Sequence, residues 1–283
     1  MKEKIDFRKI SVGRYIGIFL VVLFLLVEIY PIFWMLMAAL KSPAEFISKP
    51  SYAFPEGLYL ENFKQAWTVG KMSLFFKNSV LATSTALFFI IFLSSTIAFA
   101  LSKMKWKLSK FIRGVFISGI LVPVQVVLIP LFMIYKKIGI INSLGCLSLT
   151  YIAFGLAMSV FLLISYYSYI PNDLMEAAVI DGCGIYRLFI LIIFPLLKNG
   201  IVTVLVIQFF TTWNDLLFSM TFISSQKLKT IQTGLLYFQD EWGNKEWGPI
   251  FASVTISVTP TILIYGILNK LVIEGMTAGA VKG

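Results

Sequence analysis

Runs of apolar residues longer than a soluble core helix needs are what most restrict this chain. The first extends from about Tyr15 to Leu40 and is interrupted by one acid, Glu28. About 18 consecutive apolar residues are enough to cross a bilayer as a helix. Hydrocarbon offers no water to a free backbone N–H or C=O, so a run of this kind has to be helical. Hydrophobic residues make up 58% of the chain and charged ones 13%, against about 45–50% and about 25% in soluble domains. That leaves too little polar surface to coat a water-soluble fold. A soluble enzyme, a disordered tail and a nucleic-acid-binding domain are excluded.

Five further runs follow. Together they predict an all-α membrane protein with six transmembrane helices, at about 15–40, 74–101, 114–135, 144–169, 201–223 and 250–272. Residues 1–14 carry Lys2, Lys4, Arg8, Lys9 and Arg14. A secretory signal also starts basic, but its apolar core is only about 7–15 residues long. The first run is longer, which predicts an uncleaved span whose N-terminus is cytoplasmic. The loop after the second run carries Lys103, Lys105, Lys107, Lys110 and Arg113 and no acid, a positive-inside signal. The net charge of +10 is therefore assigned to membrane flanks beside lipid, and no nucleic-acid partner is expected. Six crossings within a transmembrane domain of 15–272 put the 273–283 tail on the cytoplasmic side with the N-terminus. Pro31 is expected to kink the first span. No internal repeat of the kind many secondary carriers use is evident.

The residues available for chemistry are few. There is no histidine, and the two cysteines, Cys146 and Cys183, suggest neither a disulfide framework nor a metal site. No Gly-x-x-x-x-Gly-Lys-Ser/Thr phosphate loop occurs, so this chain is not expected to hydrolyse a nucleotide. A charge at mid-span costs about 2.5–3.5 kcal/mol, so Glu28 and Asp215 are expected to face protein or water. Trp213-Asn214-Asp215 either lines a pathway or pins the fifth span to a neighbour. Gln125 either bonds carbonyls freed by Pro123 or lines a gate. Trp34, Trp106 and Trp247 have the placement of interface anchors.

The segment 171–198, between the fourth and fifth spans, is the informative one. Asp173 and Glu176 have the spacing of a capping box, making Asp173 the expected N-cap of a helix over Leu174–Ile180. Gly182 and Gly184 then break it, and a second helix resumes at Ile185 and runs toward Pro195. The product is a short helix-turn-helix at the inner membrane surface. Small Ala177 and Ala178 would allow a partner to approach closely, and Arg187 can reach back to Asp181. An amphipathic pair resting on lipid head groups accounts for the same pattern.

The string Glu176-Ala177-Ala178-Val179-Ile180-Asp181-Gly182, followed by Ile192 and Pro195, resembles the coupling-loop signature of ABC importer permeases, in the form typical of carbohydrate permeases. Trp213-Asn214-Asp215, Asn78-Ser79, and Ala98-Phe99-Ala100-Leu101-Ser102 resemble other elements of that family. The end of the chain, Glu274-Gly275-Met276-Thr277-Ala278-Gly279-Ala280-Val281-Lys282-Gly283, resembles the tail of its maltose-permease-G-like branch. The chain departs from the pattern at Cys183 and at Asn199-Gly200.

The resemblance implies the type I ABC importer permease fold in the plasma or inner membrane of a prokaryote. It implies a second homologous permease, two ATPase subunits that use ATP and Mg, and an extracytoplasmic sugar-binding protein; no cofactor is bound by this chain. Glu176, Ala177, Ala178, Asp181, Gly182, Gly184, Arg187 and Pro195 would form the ATPase-coupling loop. Gly275, Gly279, Ala280, Val281, Lys282 and Gly283 would reach the ATPase, although a Gly/Ala terminus also frays readily. The implied function is that of a transport subunit, not an enzyme, forming half of a sugar or oligosaccharide pathway. An ion-coupled secondary carrier, or the same importer carrying a solute such as glycerol phosphate, stays open.

Overall fold

A computed structural model describes the backbone of residues 12–237 and 246–280, and the side chains of 13–236 and 246–268. Every regular element among the described residues is helical. In order these are α1 (Val12–Ala39), α2 (Pro43–Ser48), α3 (Glu61–Thr68), α4 (Met72–Lys103), α5 (Ser109–Ile120), α6 (Val124–Lys137) and α7 (Leu144–Tyr167). Then follow α8 (Asn172–Ile180), α9 (Ile185–Arg187), a π-helical stretch (Leu188–Ile193), α10 (Phe194–Leu196), α11 (Lys198–Trp213), α12 (Leu217–Phe222), α13 (Ile231–Gly234) and α14 (Trp247–Ala280).

Four helices are continuous spans: α1, α4, α7 and the first part of α14. Two bent helix pairs are also long and apolar enough to cross. The run expected to be a straight span at 114–135 is α5 and α6, inclined at 101°. Its break lies at Leu121–Pro123, with Pro123 as the N-cap of α6. Proline has no N–H to continue a helix and disfavours helical backbone in the residue before it. The 201–223 run is also not one helix. It divides into α11 and α12, and α11 meets the preceding Ile185–Leu196 helix at 73°. Sixteen residues of α11 rise only about 24 Å, less than the hydrocarbon thickness of about 30 Å. Six crossings result when each bent pair is one span.

The sixth helix does not stop at 272 but continues to Ala280. No proline interrupts 261–280, and its three glycines, Gly266, Gly275 and Gly279, cost a helix only about 1 kcal/mol each.

The chain folds as two compact units. One comprises residues 1–70 and 238–256, the other 71–237 and 257–283. In the first, Asn62 is buried and donates from Nδ2 to the carbonyls of Ala39 (2.9 Å) and Lys41 (2.8 Å), tying α3 to the end of α1. Glu45 is buried and accepts from the Ser42 N–H, the Ser42 hydroxyl and the Glu56 N–H, each at 2.8 Å. These bonds hold its carboxyl well below the usual range, at about 2.

The second unit is built on α4 against α7. Each helix buries a stripe repeating every fourth residue: Ala82, Ala86, Ile90, Ser94 and Ala98 on α4, and Tyr151, Gly155, Ser159, Leu163 and Tyr167 on α7. Small residues at that spacing let helix backbones approach closely. Hydrogen bonds cross the contact from the Ser148 hydroxyl to Ala82 O (3.2 Å) and from the Tyr167 hydroxyl to Ser95 O (2.9 Å). A Cβ on Gly155 would lie 2.6 Å from Ile90 Cδ1 and 2.8 Å from Gln208 Oε1, so any larger residue there has to displace the ends of both buried side chains.

Candidate functional site

The 171–198 segment forms a sharp corner. Its first limb, α8, begins one residue before the expected N-cap. Pro171 is the cap, Asn172 is the first helical residue, and Asp173 lies in the first turn with no side-chain capping bond. Proline's φ of −60° already suits a helix start, and Asp173 still opposes the positive end of the helix dipole.

The limb ends at Gly182, whose φ is +77°. The Gly182 N–H bonds Val179 O (3.0 Å) and the Cys183 N–H bonds Ala178 O (2.9 Å), the paired closure of a Schellman motif. Residues with a Cβ are disfavoured at such a φ. Gly184 differs: its φ is −69° and the space beside it is open, so it starts the next limb as an ordinary extended residue.

The second limb continues through Pro195 to Leu196. The expectation of a helix ending before the proline gives way to a local widening. The Phe194 N–H bonds Phe189 O five residues back, and the π stretch Leu188–Ile193 precedes the ring. An ordinary helix would set that ring against the carbonyl four residues earlier. Leu188, Ile193 and Leu197 are the buried anchors of this limb.

The two expected small residues part company. Ala178 is buried against this chain's own core, whereas Ala177 is exposed. Glu176, Asp181 and Arg187 are exposed, and Asp181 and Arg187 form no ion pair among the described residues. The Schellman bonds close the corner without it. The outward surface is apolar as well as charged: Ile180 is 84% exposed and Tyr186 82%, alongside Leu174 and Val179.

A cleft of about 490 Å³ separates α8 from the end of α4, lined by Ser102, Lys103, Lys105, Asn172, Glu176 and Ile180 among others. Lys103 bridges it: Nζ donates to Ile170 O (2.6 Å) and to Asn172 Oδ1 (2.9 Å). Nothing in the sequence distinguished Lys103 from its four basic neighbours, because its partners lie 67 and 69 positions away. Trp106 is not simply an interface anchor. Its Nε1 donates to Ala100 O (3.0 Å), and the Ser109 hydroxyl donates to Leu101 O (3.2 Å), together capping the end of α4. Trp34 likewise bonds Ser51 O (2.9 Å) and packs edge-on against Phe251, on which Trp247 stacks.

The Trp213-Asn214-Asp215 trio sits at the break between α11 and α12. Trp213 is buried and donates to Ser257 O (3.0 Å). Asp215 accepts from the Tyr151 hydroxyl (2.8 Å) and from the N–H groups of Phe218 (3.1 Å) and Ser219 (3.0 Å), so it pins α7 and caps α12. These two residues pack helices. Asn214 is exposed and accepts from Gln232 Nε2 at 3.2 Å. Gln125 does not bond freed carbonyls; it is exposed and has no hydrogen bond among the described residues. The break beside it closes through Leu121 N–H to Ser118 O instead. Glu28 is exposed on α1 with no hydrogen bond or ion pair among the described residues. Gly275, Gly279 and Ala280 lie on α14, while Val281, Lys282 and Gly283 fall outside the described residues.

Residues 90–277 match the family model described as the binding-protein-dependent transport system inner membrane component. A probable ABC transporter permease protein of Bacillus subtilis is 33% identical, over 92% of this chain and 86% of that one. The probable starch degradation products transport system permease protein AmyC of Thermoanaerobacterium thermosulfurigenes is 32% identical, over 97% and 99%. The trehalose/maltose transport system permease protein MalG of Thermococcus litoralis is 28% identical, over 93% and 94%. Among solved structures, a bacterial ABC transporter involved in alginate import has the same fold, with a TM-score of 0.81 at 19% identity, covering 92% of this chain and 98% of that one.

Proposed function

Because this chain belongs to the binding-protein-dependent transport system inner membrane component family, and so is a permease subunit of an ABC importer, we propose that it forms half of a translocation pathway for a sugar or oligosaccharide. Its partners are a second homologous permease, two copies of a separate ATPase that uses ATP and Mg, and an extracytoplasmic sugar-binding protein. The N-terminus, the 171–198 segment and the tail face the cytoplasm. Glu176, Ala177, Asp181, Gly182 and Arg187 meet the ATPase, and the 275–283 end reaches toward it.

The observation that carries this reading is the corner at Gly182. It is closed by backbone bonds and turns both charged and large apolar side chains outward. Exposed apolar surface of that kind marks contact with a partner protein or with the membrane. A braced corner is also what a lever biased between two states needs. The Asp215 carboxylate is already engaged by three donors, which takes one of two candidate ion carriers away from the secondary-carrier alternative.

The test is to tag the chain, solubilise the membrane mildly and identify what co-purifies. A second multi-span permease and a Walker-type ATPase are expected, with candidate sugars then ranked by stimulation of ATP hydrolysis. A lone chain or homodimer across several mild detergents overturns the proposal. In cells, Gly182→Val is expected to insert normally and lose uptake, while Gly182→Asn retains more, because Asn tolerates positive φ.

A further inference from the structure

The bond set around Lys103 does more than fill the cleft. Lys103 is the last residue of α4, Ile170 follows the end of α7, and Asn172 is the first residue of α8. One ammonium therefore joins the ends of three helices, through a bond of 2.6 Å to Ile170 O and one of 2.9 Å to Asn172 Oδ1. The rest of α8 is loosely held, with Ala178 its buried residue and Met175 partly buried. The end of α4, by contrast, is stiffened, because Trp106 and Ser109 occupy the carbonyls of Ala100 and Leu101. A charged donor beside the last turn of α4 also has the favoured sign for a helix C-terminus.

We propose that Lys103 is a positioning residue that makes α8 and the inner end of α4 move as one body. Displacement of α8 is then delivered to the α4–α7 pair directly as well as around the 185–197 limb. This inference rests on the coupling role proposed for 171–198. Lys103 touches neither ATPase nor solute in this account. It acts by fixing α8 to the span.

The test uses the complex co-purified with this chain, returned to vesicles with its binding protein, and reads solute taken up per ATP hydrolysed. In Lys103→Met the ATPase is expected to co-purify as before while the ratio falls about tenfold, the factor that losing a charge-assisted hydrogen bond produces in an equilibrium. Lys103→Arg restores most of the ratio. Asn172→Ala lowers it less and adds nothing to Lys103→Met, because both variants remove the same bond. An unchanged ratio in Lys103→Met overturns the proposal, as does loss of ATPase co-purification, which would assign Lys103 to docking or folding. Should Lys103→Met fail to insert, an unchanged ratio in Asn172→Ala overturns it. Gly182→Val run in parallel separates the two ideas: normal uptake there defeats the coupling role itself, whatever Lys103 does.

Discussion

At the scale of single residues, the polar groups within the apolar runs divide by what they bond. Asp215 accepts one hydroxyl and two backbone N–H groups. Asp215→Ala strands those donors, and unfolding in detergent is expected to show a loss of about 1–3 kcal/mol. Asp215→Asn, which keeps an acceptor, should lose less. Glu45 offers a pH test. Its folded carboxyl lies at about 2, below its ordinary value of 4.5. The stabilisation is therefore present above about 4.5 and is lost as pH falls toward about 2. Protease sensitivity of the 41–60 segment should rise over that window, and Glu45→Gln should flatten the dependence. Glu45 is marked locally, since Ser42-Pro43-Ala44-Glu45 has capping-box spacing. Lys103 is not, because nothing local marks one lysine among five as the one that reaches across the fold.

At the scale of elements, prolines and small residues decided more than hydropathy did. Apolar runs located the helices, but hydropathy is blind to direction, so 114–135 read as one span where Pro123 divides it into helices at 101°. The same insensitivity joined α11 to α12 across Asn214–Leu216. The stripes of α4 and α7 stand in the sequence at a strict spacing of four, but only α4 carries mostly small residues, so the pairing itself is settled by the tertiary contact. Gly155 tests the contact. Gly155→Val places atoms against Ile90 and Gln208 and is expected to cost about 1–3 kcal/mol, read as a lowered unfolding temperature. Gly145, with nothing nearer than Ser143 Oγ at 3.8 Å, should accept alanine with little change.

At the scale of the whole molecule, the crossing count depends on each bent pair making one passage. After Cys146 and Cys183 are replaced by serine, a membrane-impermeant thiol reagent should label Lys105→Cys and Asp181→Cys from one face and Lys137→Cys from the other. Labelling of Lys105→Cys and Lys137→Cys from the same face would make the α5–α6 pair re-entrant and leave an odd number of crossings.

Composition and run length determined by themselves that this is a helical membrane protein, because hydrocarbon leaves the backbone no other partner. The spacing around Glu176 to Gly182 likewise placed the corner, since a helix stop at a positive-φ glycine is a local event. Only the tertiary structure decided which polar residues are spent on packing, that Ala178 faces inward while Ala177 faces out, and that Lys103 fastens three helix ends. Those outcomes depend on partners distant in sequence, and a contact across 67 positions leaves no periodicity in the chain to read.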